Sequence, residues 1–352
     1  MKSDSEVEFS PDESFSQQAT NSQRTAFHVV TLGGLRPNTL YHYRVLSNGV
    51  QLTDDGTFRT APAPGDDRYD RFGFFAIGDG GSGRQEQREV GDQIQRLVDT
   101  RQVDLGLYLG DVVYDRGEEE NQDPRFFTPY RRIIDKLCWW TTLGNHDVIT
   151  DNGAPYYRNR VLPEPSQFAD ATNPERWYSF DFGNAHFVAL DSNEPGDRTQ
   201  KQFLQWDLEQ HQDKTWLFVF FHHPPYATPY ADISGCTHES DIQVRRNWSP
   251  MFERYGVDVA FMGHNHTYQR SQLRRDYFPE NKGVYYVVSG GGGGQPHAAA
   301  LSDSQCNNPS LTQAVVRGNT YHLVFVRVDG RQMTMQAIDE DGVVFDRFEL
   351  SK

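Results

Sequence analysis

From Arg68 onward, apolar runs recur along the chain and each ends in a short polar knot. Arg71–Ile77 leads into Gly78-Asp79, Val103–Leu109 into Gly110-Asp111, and Leu137–Leu143 into Gly144-Asn145-His146-Asp147. Trp216–Phe221 leads into His222-His223, and Val257–Met262 into Gly263-His264-Asn265-His266. Runs apolar at consecutive positions predict strands covered on both faces, as in an α/β sheet. Between them lie helix-compatible segments at Arg84–Thr100, Pro129–Lys136 and Arg198–His211. Open α/β sheets bind ligands beyond the carboxyl ends of their strands. Here every one of those ends carries Asp, Asn or His.

The first 60 residues alternate instead. Phe27–Leu32, Tyr41–Leu46 and Gly56–Thr60 read as short strands between Gly, Pro and Asn turns. The stretch Leu35–Val45 resembles the late-strand turn of a fibronectin type III domain. Related sandwiches take about seven strands over ~100 residues. Only four or five fit before Thr60, so the early strands are expected to be missing and the start truncated. The Pro-rich run Ala61–Asp67 reads as a stiff linker. The predicted division is a partial β domain at residues 1–62, a linker at 63–67 and a catalytic domain at 68–352. Later, Trp177–Phe182 and Ala185–Leu190 read as a hairpin turned at Gly183-Asn184, and Val284–Ser289 as a strand. Tyr321–Val328, Gln332–Ile338 and Val343–Leu350 read as a terminal meander.

Composition narrows the function classes. With 34 basic and 49 acidic residues the net charge is −15, which argues against a sequence-independent nucleic-acid partner or adhesion to anionic membranes. An aromatic content of 13% excludes wholesale disorder, and the longest apolar runs fall well short of the ~20 residues that cross a bilayer. The polar start MKSDSEVEFSPDES shows no signal peptide. Of three cysteines, Cys236 and Cys306 lie in loop-like stretches as a candidate pair, and Cys138, in LCWW, reads as a buried thiol. No Gly-x-Ser-x-Gly elbow or P-loop is present.

The strand ends supply two carboxylates, an amide, three or more imidazoles and the phenol of Tyr114. Imidazole with carboxylate suits Zn, Mn, Fe or Ni, and the lack of thiolate disfavours a structural zinc site. Two metals about 3.5–4 Å apart need a bridging ligand, which a carboxylate after a strand provides.

In order, Gly78-Asp79-Gly80-Gly81, Gly110-Asp111-Val112-Val113-Tyr114, Gly144-Asn145-His146-Asp147, Val219-Phe220-Phe221-His222 and Gly263-His264-Asn265-His266 resemble the five blocks of calcineurin-like metallophosphoesterases. The Asp-x-x-Tyr spacing resembles the purple acid phosphatase branch, in which a fibronectin-like domain comes first. The resemblance spans about residues 26 to 350. It implies a layered α/β/β/α domain behind the small truncated β domain, and a phosphomonoesterase acting by in-line attack of metal-activated water. It implies that Asp79, Asp111, Tyr114 and His266 hold Fe(III), that Asp111 bridges, and that Asn145, His222 and His264 complete a site for Zn, Mn or Fe(II). His146 and His238 would contact the phosphate or protonate the leaving group. The implied partner is a small phosphoester, with no nucleic-acid or membrane partner, and the implied location of the full-length form is secreted or periplasmic.

Two departures stand out. Asp147 occupies a place where relatives of this branch usually carry Glu, a change expected to tune function. Without Tyr114 the second block would resemble that of Ser/Thr protein phosphatases. Neighbours on a strand end face opposite ways, and the family's His-x-Pro pattern favours His222 over His223 as the ligand. Gly290–Gly294 reads equally as a flexible loop or as backbone passing close to the metals. His28, His42, His186, His211, His297 and His322 show no ligand spacing and read as ordinary residues. Rival functions are a phosphodiesterase, nucleotidase or phytase on the same site, and a surface-binding protein with a decayed catalytic domain.

Overall fold

The computed structural model describes residues 2–63, 65–66, 68–165, 167–227, 239–297 and 313–352. Its N-terminal part is an antiparallel sheet of β1 (Ser3–Ser10), β2 (Gln17–Thr25), β3 (Leu40–Ser47), β4 (Val50–Gln51) and β5 (Gly56–Arg59), ordered β2-β1-β3-β4 with β5 also on β3. The expected strand at residues 27–32 does not form. β1 takes β2 on one side and β3 on the other, while Val30 and Leu32 line a groove against Ile134, Leu137 and Cys138. Cys138 is therefore exposed rather than buried, because it opens an edge strand facing that groove. The expected pair Cys236 and Cys306 lies outside the described residues.

Two larger sheets follow. The first is ordered β18-β17-β16-β6-β7-β8, with β6 (Arg71–Ile77), β7 (Leu105–Tyr108) and β8 (Cys138–Thr141) parallel to one another. The C-terminal meander β16 (His322–Asp329), β17 (Gln332–Asp339) and β18 (Val344–Ser351) extends it antiparallel. The second is ordered β15-β13-β14-β12-β11-β10-β9. It contains the hairpin β9 (Tyr178–Phe182) and β10 (Ala185–Ala189), then β11 (Trp216–Phe220), β12 (Val259–Met262), β13 (Tyr268–Ser271), β14 (Tyr285–Ser289) and β15 (Gln313–Arg317). β10, β11, β12 and β14 run parallel.

The sheets stack face to face, and the continuous apolar runs exist to serve both faces. Along β11, Trp216, Phe218 and Phe220 enter the core between the sheets, while Val219 and the following Phe221 join the outer core. β12 divides likewise, with Val259 and Phe261 inward and Ala260 and Met262 outward. Phe74 of β6 sits edge-on against Phe187 and Phe218 (5.3 Å each) and Phe261 (5.7 Å), tying one sheet to the other. Outside, the helix Gln85–Asp99 buries Val90, Ile94, Leu97 and Val98. The helices Arg198–Gln210 and Ser249–Tyr255 cover the second sheet with Phe203, Leu204 and Phe252. The layers are α/β/β/α, and the carboxyl ends of the parallel strands open on one edge.

Candidate metal centre

That edge gathers the polar knots. Asp79 follows β6, Asp111 and Tyr114 follow β7, Asn145 follows β8, His222 follows β11, and His264 and His266 follow β12. Asp79, Asp111 and His264 all adopt positive φ (60°, 52° and 68°), the left-handed backbone that costs an L-residue about 1–2 kcal/mol. Three such residues at adjacent strand ends turn their side chains toward one another, and strain of this kind clusters at functional sites.

The donors converge. Tyr114 Oη lies 3.1 Å from Asp79 Oδ1 and 2.9 Å from His266 Nε2, which is itself 3.4 Å from Asp79 Oδ1. Asn145 Oδ1 lies 3.0 Å from both His222 Nε2 and His264 Nδ1, and His222 Nε2 is 3.5 Å from Asp111 Oδ2. Asp79 and Asp111 are almost fully buried. The far nitrogens of two rings are occupied: His222 Nδ1 donates to Leu109 O (2.8 Å) and His266 Nδ1 to Gln295 O (2.7 Å). Such carbonyl partners fix the ring orientation, so that Nε2 faces the cage and has a lone pair to offer once a metal displaces its proton.

The electrostatics call for positive charge here. Burial pushes the His222 pKa down, but the Asp111 and Asp79 carboxylates outweigh it and raise the value to about 10. Burial alone would raise Asp111, yet the charge of His222 holds its carboxyl below the usual range. Burial and then the charges of Asp111 and Asp79 push the Tyr114 phenol well up. Two buried carboxylates surrounded by amide oxygen, imidazole and phenol fit a pair of cations by donor chemistry.

Around this cage, Asp147 accepts backbone N–H bonds from Val112, Val113 and Gly144 at 2.9–3.1 Å. It thereby pins the Asp111 turn to the Asn145 turn. Burial, then the neighbouring Asp111 charge, raises its pKa to about 6. Asp147→Asn keeps the shape but loses the charge that receives these bonds. Metal occupancy or kcat is expected to drop about 10–100-fold, checked by elemental analysis and steady-state rates.

His146 N–H donates to Asp111 Oδ1 (2.9 Å), its Nδ1 meets Asp115 O at 2.5 Å, and its ring packs on Tyr114. A cavity of about 390 Å³ opens over Tyr114, His146 and His266, walled by Ser82, Arg84, Asp115, Arg125, Gly294 and Gln295. His238 lies outside the described residues.

Other residues join the site, some of them weighed in the sequence and some not. His223, Nδ1 2.9 Å from Ser192 Oγ, forms a possible ligand group with His222 and His264. Ser192 Oγ also accepts the backbone N–H groups of His222 (3.2 Å) and His223 (2.9 Å). His297, expected to be ordinary, stacks on His266 at 4.4 Å. Gly290–Gly294 serves close approach: a Cβ at Gly290 would lie 2.1 Å from Asn265 O, and one at Gly294 2.7 Å from the His266 ring.

The fold and this edge define a class. The calcineurin-like phosphoesterase model matches residues 74–268, and the chain belongs to that family. Within it, the similar proteins are purple acid phosphatases. Purple acid phosphatase 21 of Arabidopsis thaliana is 29% identical, covering 75% of this chain and 57% of its own length. Probable inactive purple acid phosphatase 1 of the same plant is 25% identical over 92% of this chain and 57% of its own. Acid phosphatase type 7 of Mus musculus is 27% identical over 68% of this chain and 58% of its own. The chain thus spans less than two thirds of these relatives. In fold it is similar to a purple acid phosphatase from yellow lupin seeds (TM-score 0.82, 19% identity, 99% of this chain and 70% of that one). PhoD gives a TM-score of 0.76 at 16% identity, covering 100% of this chain and 84% of that one. The family implies a dinuclear metal centre. Among the described residues, no helix is long and apolar enough to cross a membrane.

Proposed function

We propose that this chain hydrolyses phosphate monoesters at a dinuclear centre. Asp79, Asp111, Tyr114 and His266 would hold Fe(III), and Asn145, His222 and His264, with Asp111 shared, a divalent Zn, Mn or Fe ion. The observation that carries the reading is the convergence of seven donors from strand ends up to 187 residues apart (79 to 266) into one buried cage. Once bound, the metals supply an acidified water and neutralise charge on the phosphoryl oxygens.

The chain's own groups do the rest. The strained turns at Asp79, Asp111 and His264 keep the donors preorganised. His146 Nδ1 is engaged by Asp115 O. Its Nε2 lies 4.0 Å from Asp111 Oδ2, and in the imidazolium form it is suited to pass a proton to the leaving oxygen. Gly294 and Gln295 form part of the cavity wall beside His266. Residues 1–62 are proposed as a partial fibronectin type III-like domain ahead of a catalytic domain at 68–352.

The test is elemental analysis of purified protein with a phosphoester panel assayed across pH. Two metals per chain and monoester turnover support the reading; metal-free, inert protein sinks it. An iron–phenolate bond gives a visible band that Tyr114→Phe abolishes, while a colourless active iron protein removes Tyr114 from the ligands. A second reading, a multiply phosphorylated substrate such as a nucleotide or phytate, is favoured by Arg84 and Arg125 in the cavity wall; the same panel separates it. Binding without turnover would favour the surface-binding rival, a reading supported by three relatives named as probable inactive purple acid phosphatases.

A further inference from the structure

Behind the dinuclear centre, a buried cation stands without an anion in contact. Arg160 follows the short helix Ala154–Arg158, and its guanidinium lies 4.6 Å from the ring centroid of Phe126 and 4.6 Å from that of Tyr156. Nη1 donates to Gln122 Oε1 (2.9 Å) and Tyr156 O (3.3 Å). Nε and Nη2 are buried with no hydrogen-bond partner among the described residues. The group therefore touches an amide, a carbonyl and two ring faces, none of them an anion. A buried cation of this kind is costly unless an opposite charge answers it, and aromatic faces offset only part of that cost.

Two links run from Arg160 to the metal cage. The first is charge. Burial pushes the Arg160 pKa down, and the charge of the buried Asp147 opposes it. Burial and the Asp111 charge push Asp147 up, and Arg160 opposes them in turn. Of the carboxylates acting on Arg160, Asp147 comes ahead of Glu119, which already takes Arg158 at 2.8 Å. The second link is mechanical. Gln122 gives its other end, Nε2–H, to Gly117 O at 3.3 Å. Gly117 lies so close to Asp147 that a Cβ there would meet Asp147 O at 2.7 Å. Between Asp111 and Gly117 lie Tyr114 and Asp115, whose carbonyl meets His146 Nδ1. We propose that Arg160 is a positioning residue for the reaction at the dinuclear centre: its guanidinium answers the Asp147 charge and, through Gln122, holds the Asp111–Gly117 loop against the turn of Asn145 and Asp147. The inference rests on the dinuclear reading of the cage. Arg160 stands outside the wall of the substrate cavity, so it acts through Asp147 and that loop. A planar guanidinium suits the place, since it stacks on rings while its fork still reaches Gln122.

The test is a double-mutant cycle between Arg160→Met and Asp147→Asn, read by metal content, kcat, KM and denaturation midpoint. Arg160→Met alone is expected to lower kcat or metal occupancy about tenfold with KM for a phosphomonoester unchanged. Arg160→Lys, which keeps the charge, should recover part of that loss. In the Asp147→Asn background, Arg160→Met should cost no more than about twofold further, because the anion it answers is already gone. If Arg160→Met does not fold, the same coupling is read as recovery of folding when Asp147 is also Asn, and failure of the double variant to fold overturns the proposal. Losses that multiply across the cycle overturn it as well, as do parent-like kcat and metal content in Arg160→Met or an Arg160→Lys variant no better than Arg160→Met. A parent without metal or turnover fails the dinuclear reading itself; denaturation midpoints taken on metal-free protein still read the pairing of Arg160 with Asp147.

Discussion

Asp111→Asn is expected to lower kcat/KM for a phosphomonoester by about 10³-fold, the loss of roughly 4 kcal/mol of transition-state stabilisation. The substitution is chosen to change charge alone. Asparagine tolerates the left-handed backbone that Asp111 adopts at φ 52°. Its amide oxygen can still accept the His146 N–H at 2.9 Å. What disappears is the anion 3.5 Å from His222 Nε2, proposed as the ligand shared by two cations. Elemental analysis should show one metal or none where the parent has two, with the circular dichroism spectrum unchanged. Full activity with both metals retained would show that Asp111 is not the bridge.

Much of this edge was legible in the chain because of how burial works. A strand covered on both faces must be apolar at every position, so β6, β7, β11 and β12 stand out as runs within a few residues of their limits, while β8 is a partly exposed edge strand that reads as apolar through Trp139 and Trp140. The donors are visible because each follows such a run directly. β1 and β2 are not visible in that way. SDSEVEFS and QQATNSQRT carry few apolar positions, since that small sheet leaves most of their side chains partly or fully exposed. β13 was missed because its four residues, Tyr268–Ser271, begin one residue after the His266-Thr267 turn. Ser192 and His297 reach the centre only through tertiary packing, which no spacing records. The same holds for His186 and His211, which lie 25 residues apart and meet only when a helix lies down on β10. The choice between neighbours at β11 was also only half legible, because both rings approach His264, His222 at 5.1 Å and His223 at 4.5 Å.

Gly144→Ala is expected to cost nearly as much activity as losing the Asp111 charge, and for a different reason. Gly144 does not sit at positive φ, so alanine meets no backbone penalty there. The obstacle is space. A Cβ at Gly144 would stand 2.1 Å from Asp111 Oδ1 and 2.2 Å from Asp111 N, and those atoms cannot swing aside like the tip of a flexible side chain. Either the Asp111 turn or the Asn145 turn must shift by about an ångström, and misplacement on that scale costs about 10²-fold in rate. Forcing a methylene into a packed region also costs about 1–3 kcal/mol of stability. The expected result is therefore a fall in kcat of about 10²-fold or more, with weakened metal retention and a modest drop in the denaturation midpoint. Gly196→Ala is the control, because nothing lies within 4 Å of a Cβ at that position. Both substitutions change glycine to alanine in a loop, so they share the unfolded-state effect of about 0.4–1 kcal/mol. If Gly144→Ala matches Gly196→Ala in activity and metal content, the close approach of Gly144 to Asp111 is not what holds the cage together.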